Sequence, residues 1–330
     1  MITHISFPLS ARSRELPFYL AAEEFAALSL PVGSDYFFMW RVRPTVIIGR
    51  NQMFESEVNA AYCRDNDIDI CRRKSGGGCV YADLSNIMFS FITDCGPDLS
   101  STFAAYTARV AAMLRSLGID ATAGSRNDVT VGGRKVSGNA FYRLPGGRSI
   151  AHGTMLFDVD IERMMNAITP SRVKLESKGV SSVRSRVTSV REFRPDLTID
   201  AFMDYARTFM SDGDLSLSAA DIAVIERIEA PYLTDRWLLG KSPRGSLSLS
   251  RRIDGVGDFA FDLVMRGGVI EDINLAGDFF LLADLDTSLL RFLRGARLLR
   301  ESLSAALTGV DASRVIMGLS NDALIEMLIS

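Results

Sequence analysis

Short, mostly apolar runs bounded by polar and turn-forming residues recur in the first half of the chain, which is a pattern typical of β-strands. These stretches are rich in β-branched and aromatic residues, and turn signals such as Arg43-Pro44 separate them. In chain order they are DYFFMWRV, TVIIGR, IDICRR, CVYAD, NIMFSFIT, DVTVGGRKVSGNAFYRL and SIAHGTMLFDVD. They predict a mixed β-sheet in which Gly132-Gly133 is the turn of a hairpin.

The longest helical pattern covers residues 99–117, where apolar residues recur at three- and four-residue spacing until Gly118 signals the end of the helix. Shorter patterns predict helices at 57–66, 160–168, 198–212, 218–229, 285–307 and 321–329, and an irregular segment at 171–197. This mixture of strands and helices indicates the α+β class.

One segment has the composition of a domain linker. Residues 240–246 read GKSPRGS, rich in Pro, Gly and Ser. We therefore expect a large domain at 1–242, which contains the mixed sheet, and a small α/β accessory domain at 247–330.

Composition excludes several classes of protein. The 330 residues carry a net charge of −3, unlike a dedicated nucleic-acid binder, and no apolar run is long enough to span a membrane. The start lacks the apolar core of a secretory signal, and the four cysteines form no CxxC pair, so we expect a reduced, cytoplasmic protein. With only His4 and His152, a zinc site of several histidines is impossible, and we expect His4 to fray with the N-terminus.

A glycine run preceded by arginines stands in RRKSGGGCVYAD, residues 72–83. Glycine amides can approach a ligand closely, and arginines pair with phosphate oxygens in fork geometry, so the segment fits a phosphate cradle. It fits equally a glycine-rich hairpin with solvated arginines. Neither GxxxxGK[ST] nor GxGxxG is present here, which excludes a P-loop and a dinucleotide fingerprint.

Lys135 lies in an apolar strand between Gly133 and the Ser137-Gly138-Asn139 bend. A lysine in such a setting needs an anion, and Asp128 on a facing strand is the nearest candidate. A bound phosphate is another, in which case Asp128 could help hold Mg²⁺. The alternative is that Lys135 points to water from an edge strand.

The lone His152 beside Gly153 is more typical of a structural hydrogen-bonding group than of a catalyst. Residues 126–186 hold eleven Lys or Arg and five Asp or Glu, a net charge of +6, which leaves −9 for the rest of the chain. Such segregation fits a site for a nucleoside triphosphate or for an acidic protein, or a basic surface without a ligand.

Taken together, four segments resemble the lipoate–protein ligases. In the family's order they are RRKSGGGCVYADLSNIMFSF, RNDVTVGGRKVSGNAFYR, HGTMLFDVD and KGVSSVRSRV. The resemblance covers residues 15–200 and extends through DRWLLGKSPRGS and GGVIEDINLAGDFF into the C-terminal region. It implies a catalytic domain with the mixed sheet of the biotin and lipoate–protein ligases, followed by the family's accessory domain.

The resemblance also implies an activity. Members of the family activate lipoate with ATP to lipoyl-AMP and release pyrophosphate. They then transfer the lipoyl group to a lysine on lipoyl domains of 2-oxoacid dehydrogenase complexes or on the glycine-cleavage carrier protein. We accordingly expect ATP and Mg²⁺ as co-substrates, no tightly bound prosthetic group, no nucleic-acid or membrane partner, and a monomer.

Individual residues take roles from the same resemblance. Lys135 is the catalytic lysine, which touches the α-phosphate and the lipoyl carbonyl oxygen, and Asp128 is the candidate Mg²⁺ ligand. The implied ATP and adenylate contacts are Arg73, Ser75, Gly76, Gly77, Gly78, Cys79, Val80, Tyr81, Asn127, Asp128 and Lys135. The implied lipoate contacts are Val46, Ile48, Lys135, Ser137, Gly138, Ala140, His152 and Gly153.

Other activities on the same fold compete with this interpretation. A lipoyl or octanoyl transferase would use a cysteine thioester after the lysine, whereas Cys63, Cys71, Cys79 and Cys95 all precede Lys135. An ATP-independent amidotransferase and a non-catalytic protein that binds lipoyl domains also remain as alternatives. A biotin–protein ligase is disfavoured because the GRGRxGR pattern is absent.

Overall fold

The computed structural model describes residues 1–8, 14–94, 99–124, 127–144, 148–168, 186–239, 247–266 and 268–329. It is of the α+β class and divides into two compact units. The large unit comprises 1–48, 55–73 and 79–238, and the small unit comprises 49–54, 74–78 and 239–330. The predicted linker at 240–246 lies outside the described residues.

The strands are β1 (Ile2–Ser6), β2 (Asp35–Trp40), β3 (Thr45–Ile48), β4 (Asp69–Arg72), β5 (Val80–Ala82), β6 (Ile87–Asp94), β7 (Ala121–Ala123), β8 (Asp128–Val131), β9 (Arg134–Arg143), β10 (Arg148–Met155), β11 (Gly213–Ser216), β12 (Leu247–Ile253), β13 (Gly257–Arg266) and β14 (Val269–Asp278). The α-helices are α1 (Leu16–Ser29), α2 (Phe54–Glu57), α3 (Ala60–Asp65), α4 (Leu99–Ser116), α5 (Ile161–Ala167), α6 (Val190–Phe193), α7 (Ile199–Met210), α8 (Ala219–Glu229), α9 (Asp235–Leu239), α10 (Arg291–Leu293), α11 (Arg300–Ala306) and α12 (Asn321–Ile329). Short 3-10 segments at Ala230–Leu233 and Ala312–Arg314 and a π-helical turn at Asp286–Leu290 complete them.

An eight-stranded sheet in the order β11-β1-β2-β6-β10-β9-β8-β7 forms the centre of the large unit. β1 pairs in parallel with both β2 and β11, and the other pairings are antiparallel, so the sheet is mixed, as predicted. His4 pairs with Asp214 on one side and Phe37 on the other. The expectation that this segment frays is therefore wrong, because pairing with distant strands ties the N-terminus into the sheet.

Helices cover both faces of this sheet. On one face α1 packs against β6 and β10 within a large apolar cluster. On the other face lies α4, where the rings of Phe103 and Phe141 are 4.4 Å apart. Strict alternation along a strand then decides which helix each side chain of the sheet meets.

A second, three-stranded sheet has the order β4-β3-β5. Ile47 on β3 belongs to the apolar cluster around α1. Its neighbours Val46 and Ile48 are fully buried and, by the alternation of the strand, point to the opposite face of the small sheet.

Most predicted elements of the large unit are present, including the 99–117 helix and the Gly132-Gly133 turn, whose φ angles are +55° and +75°. The single helix expected at 57–66 is instead α2 and α3. Val58 separates them because it forms an isolated bridge with Ile168, and the Asn59 side chain then caps α3.

The small unit is built around the antiparallel sheet β12-β13-β14, which packs against helices in an apolar cluster of its own. The single helix expected at 285–307 is wrong. Gly295 has φ +89° and its amide donates to Ile270 O, so the chain leaves the helix there and resumes only at α11. Among the described residues, no helix combines the length and the apolar character that crossing a membrane requires.

Candidate active site

Lys135 forms an ion pair with Asp128, one of the two candidate partners that the sequence offered. Its Nζ lies 2.8 Å from Oδ1 of Asp128, the first residue of the neighbouring strand β8. Both side chains are partly exposed, at 37% and 38%. The amine is thus held by a carboxylate at the surface of the sheet, where a ligand can reach it.

The backbone fixes Lys135 from its other side as well. Its amide donates to Arg186 O at 2.7 Å, and its carbonyl accepts from the Thr188 amide at 2.8 Å. Lys135 opposes Thr130 whereas Ser137 opposes Val129, so Val136 is an extra residue that bulges from β9. A bulge redirects nearby side chains, and here it accompanies the turn of the lysine toward Gly138.

Gly138 provides the space for the amine. A Cβ at this position would overlap the Cε and Nζ of Lys135. Gly138 faces Thr154 across β10, and the next residues on the same face are Ala140 and His152, which oppose one another. The small residues Gly138 and Ala140 therefore line a strip of the α1 face of the sheet between the Lys135 amine and His152, and we call this strip the slot.

A buried chain of hydrogen-bonded polar side chains lies at the His152 end of that slot. His152 Nδ1 lies 3.0 and 2.9 Å from the two carboxylate oxygens of Glu23 on α1. Ser90 Oγ donates to Glu23 at 2.6 Å and accepts from Trp40 Nε1 at 2.8 Å. His152 is thus the structural hydrogen-bonding group that the sequence predicts, and its carboxylate partner is completely buried.

Glu23 is a residue of this site that the pattern analysis missed. The available signal was the pair Glu23-Glu24 inside LPFYLAAEEFAALS, because a carboxylate within an apolar helix needs a partner. Both are buried in α1, and Glu24 accepts a short hydrogen bond from the Tyr232 hydroxyl. Burial strongly raises the pKa of Tyr232, which keeps this phenol protonated as a donor.

The residues expected to contact lipoate do not all share the slot. Gly138, Ala140 and His152 share the α1 face of the sheet with the Lys135 amine. Ser137 and Gly153 point to the opposite face. Val46 and Ile48 belong to the three-stranded sheet, on the face away from the α1 cluster.

Arg73 is held at the end of the three-stranded sheet. It is 5% exposed, its amide donates to Ile48 O at 2.9 Å, and its Nη1 donates to Ile47 O at 3.2 Å. Val80 and Tyr81 pair with β3 on the other side of the same sheet, and Cys79 just before them is half-buried. Burial strongly raises the pKa of Cys71 on β4, so this thiol is inert.

The glycine run contacts the backbone within the small unit. Gly77 has φ +88°, and its amide donates to Phe279 O at 2.9 Å. A Cβ at Gly76 would overlap the same carbonyl, and a Cβ at Gly78 would lie 3.1 Å from Asp278 Oδ2. Ser75 O accepts from the Arg50 amide at 2.9 Å. These glycines permit close approach of main chains within the small unit.

Asn127 and Asp128 lie together at the start of β8, beside Lys135. The described residues include no group of three or more side chains suited to hold a metal ion by themselves. Mg²⁺ that arrives with nucleotide phosphates needs only one or two protein carboxylates, so Asp128 is compatible with that kind of site.

Family comparisons match nearly the whole chain. Residues 16–210 match the lipoyl protein ligase A/B catalytic domain, and residues 242–328 match the bacterial lipoate protein ligase C-terminus. Lipoate-protein ligase LplJ of Bacillus subtilis is 34% identical, covering 94% of this chain and 95% of its own. Lipoate–protein ligase 1 of Staphylococcus aureus is 35% identical, covering 86% and 89%.

Solved structures have the same fold. LipL1 of P. falciparum in complex with lipoate is 17% identical, with a TM-score of 0.77 over 100% of this chain and 98% of its own. A bipartite ligase from Thermoplasma acidophilum, studied with its E2 lipoyl domain, is 26% identical, with a TM-score of 0.64 over 75% and 100%. Lipoate-protein ligase A bound with ATP is 25% identical, with a TM-score of 0.60 over 73% and 99%.

Proposed function

The chain belongs to the lipoate–protein ligase family, and on that premise we propose that it uses ATP to attach free lipoate to a lysine of lipoyl domains. The observation that carries the proposal is the ion pair of the Lys135 amine with Asp128, which lies at one end of the strip of small residues on β9, while the buried His152–Glu23 pair lies at the other end. An anion-binding head and a narrow, largely apolar stem match the two parts of lipoate, a carboxylate and an alkyl chain with a dithiolane ring.

The first step joins two anions. A lipoate carboxylate oxygen attacks the α-phosphorus of ATP and forms a new P–O bond, while the bond from that phosphorus to the bridging oxygen breaks and pyrophosphate departs. Negative charge grows on the α-phosphate oxygens during this exchange. A cation already fixed at that point lowers the barrier without reorganising.

Lys135 supplies that cation. Its amine pairs with Asp128, and Gly138 leaves it room to turn toward the slot. A lipoate carboxylate and the α-phosphate then share the amine. Asp128 would then be able to hold the Mg²⁺ that accompanies ATP, and the Arg73 guanidinium would pair with phosphate oxygens of the nucleotide.

The slot orients the acyl chain. The small side chain of Ala140 leaves room along the sheet for methylene groups, and the His152–Glu23 pair marks the far end for the dithiolane. Because Glu23 also accepts from Ser90, the imidazole is held from behind and keeps one orientation. A fixed end wall sets how far the carboxylate reaches toward Lys135.

The second step is acyl transfer. The amine of the acceptor lysine attacks the carbonyl carbon of lipoyl-AMP, an amide bond forms, and AMP leaves with the electrons of the broken C–O bond. The amine loses a proton in the process. Lys135, next to the carbonyl oxygen, stabilises the negative charge that develops there. The free thiols of Cys63, Cys71 and Cys79 are consistent with action in the reducing cytoplasm.

The test is a lipoylation assay with the purified protein, lipoate and a lipoyl domain, with and without ATP. We expect the mass of the domain to rise by one lipoyl group only with ATP, with pyrophosphate formed in the same amount. Lys135→Ala should lower the rate of lipoyl-adenylate formation by about 10²–10³-fold, the usual cost of one transition-state donor. ATP-independent transfer, or a Lys135→Ala rate within about threefold of the parent, would refute the proposal.

A further inference from the structure

Asn139 makes an unusual number of contacts beside the catalytic lysine. It lies on β9, four residues beyond Lys135, and is 4% exposed. Both its amide N–H and its side-chain Nδ2 donate to Asn127 O at 3.0 Å, and Asn127 Nδ2 donates back to Asn139 O at 3.0 Å. Three hydrogen bonds therefore join these two asparagines, and we call this set of bonds the clamp.

The position of Asn127 gives this clamp its importance. Asn127 directly precedes Asp128, the residue that pairs with the Lys135 amine. β8 starts at Asp128, so the clamp fixes the entry of that strand against β9. Rotating or shifting Asn127 would move the Asp128 carboxylate relative to the amine.

The Asn139 side chain packs against Gly153. It is the residue directly opposite Asn139 on β10, and a Cβ there would overlap the Asn139 Oδ1 and lie close to its Cγ. The amide thus lies flat on the sheet in the space that glycine leaves. Ser137 Oγ, 3.4 Å from the same Oδ1, contributes a weaker contact from β9. Gly153 is on the face away from the slot, so its lack of a side chain serves Asn139.

We propose that Asn139, seated on Gly153, is a positioning residue that sets the geometry of the Lys135–Asp128 pair through Asn127. It touches neither substrate in this role. The inference rests on the proposed function, because it assigns a consequence to the placement of the Lys135 amine. It predicts that the chemical step, rather than substrate binding, depends on Asn139.

The test measures kcat and KM for lipoyl-adenylate formation, from pyrophosphate release, in three variants. Asn139→Ala removes the side chain. Asn139→Asp keeps its volume and can still accept from Ser137, but it cannot donate to Asn127 and repels that carbonyl. Gly153→Ala leaves Asn139 in the sequence and displaces its amide. We expect each to lower kcat by about 10- to 100-fold, with both KM values within about threefold of the parent.

Two comparisons separate positioning from general loss of stability. Asn59→Ala removes the capping side chain of α3, which should lower the stability of the protein and leave kcat unchanged. In the Asn139→Ala background, Gly153→Ala should lower kcat only a little further. The two changes act on one contact, so their effects on kcat are not additive.

The results distinguish failure of this inference from failure of the proposed function. If Lys135→Ala is inactive while folded Asn139→Ala and Asn139→Asp keep kcat within about threefold, Asn139 is not a positioning residue. Full additivity of Gly153→Ala with Asn139→Ala would also overturn the inference. If Lys135→Ala itself remains active, the proposed function fails first. Where Asn139→Ala does not fold, Asn139→Asp and Gly153→Ala, checked by circular dichroism, decide the matter.

Discussion

His4 is largely buried in a paired strand, in contact with charged neighbours. Its Nδ1 lies 3.3 Å from Asp214 Oδ1, and its side chain is only 13% exposed. Burial lowers the pKa of His4 from its ordinary value of 6.5, the Arg207 guanidinium lowers it further, and Asp214 opposes them. The folded protein therefore favours the neutral imidazole more than the unfolded chain does.

A pH dependence of stability follows from this shift. The contribution of neutral His4 is complete above the unfolded value and is lost as the pH falls through the lower folded pKa. We expect the free energy of unfolding to decrease between about pH 7 and pH 5, and the decrease to be smaller in His4→Asn. Urea unfolding of the parent and of His4→Asn across this range gives the difference in their free energies of unfolding. The contributions of carboxylates that both proteins contain cancel in that difference. Equal slopes would contradict the prediction.

The two pairs of the candidate site differed in how far the sequence could predict them. Lys135 and Asp128 lie on one hairpin with the Gly132-Gly133 turn, so the sequence could name Asp128 as a candidate partner of the lysine. His152 and Glu23 are 129 residues apart, and only the packing of α1 on the sheet joins them. No local pattern encodes such a contact.

At the scale of elements, Arg148 fixes the end of α1. Its Nη1 donates to the carbonyls of Ala26 and Leu30 at 3.3 Å, and its Nη2 donates to Ser34 O at 2.6 Å. Its Nε pairs with Asp94 at 2.7 Å, and the side chain is 6% exposed. A cation at a helix C-terminus satisfies carbonyls that lack intrahelical partners and favours the helix dipole.

Removing this side chain should loosen the helix that carries Glu23. We expect Arg148→Met to lower the free energy of unfolding by about 2–4 kcal/mol, because buried carbonyls lose their donors. Arg191→Met is the matched control. Its ion pair with Asp158 is about half exposed, so its loss should cost less than about 1 kcal/mol. Chemical denaturation of both variants gives the comparison, and equal losses would argue against the capping role.

Periodicity predicted elements best where one face is buried and the other is wet. α4 follows that pattern and was predicted from it, whereas β2, β3 and β6 are buried on both faces and were predicted from their β-branched and aromatic composition. α1 was missed because every residue from Leu16 to Ala27 is buried, which leaves no polar stripe to reveal a helix. β1 and β11 are short and pair across more than 200 residues, so nothing local marks them as strands of the sheet.

At the scale of the whole molecule, each unit contains its own apolar cluster, with Phe18 and Trp40 in the large unit and Phe259 and Leu293 in the small one. Charge is distributed unevenly along the same chain. The +6 of residues 126–186 includes Lys135 and its neighbour Arg134, and the remainder carries −9. Lys135 and Arg134 place positive charge at the candidate site itself, and such charge attracts a partner of the opposite sign and repels one of its own.

We therefore expect transfer to an acidic lipoyl domain to depend on ionic strength. The enzyme is preloaded with lipoyl-AMP, so that ATP binding does not contribute to the measured rate. The second-order rate constant of transfer should fall at least about threefold between about 0.05 and 0.3 M salt. Arg134→Glu should lower the low-salt rate and flatten this dependence. Arg227→Glu changes net charge equally on exposed α8, outside the basic segment, and should leave both unchanged. Transfer that is insensitive to salt, or equal effects of the two reversals, would assign the basic segment to nucleotide binding alone.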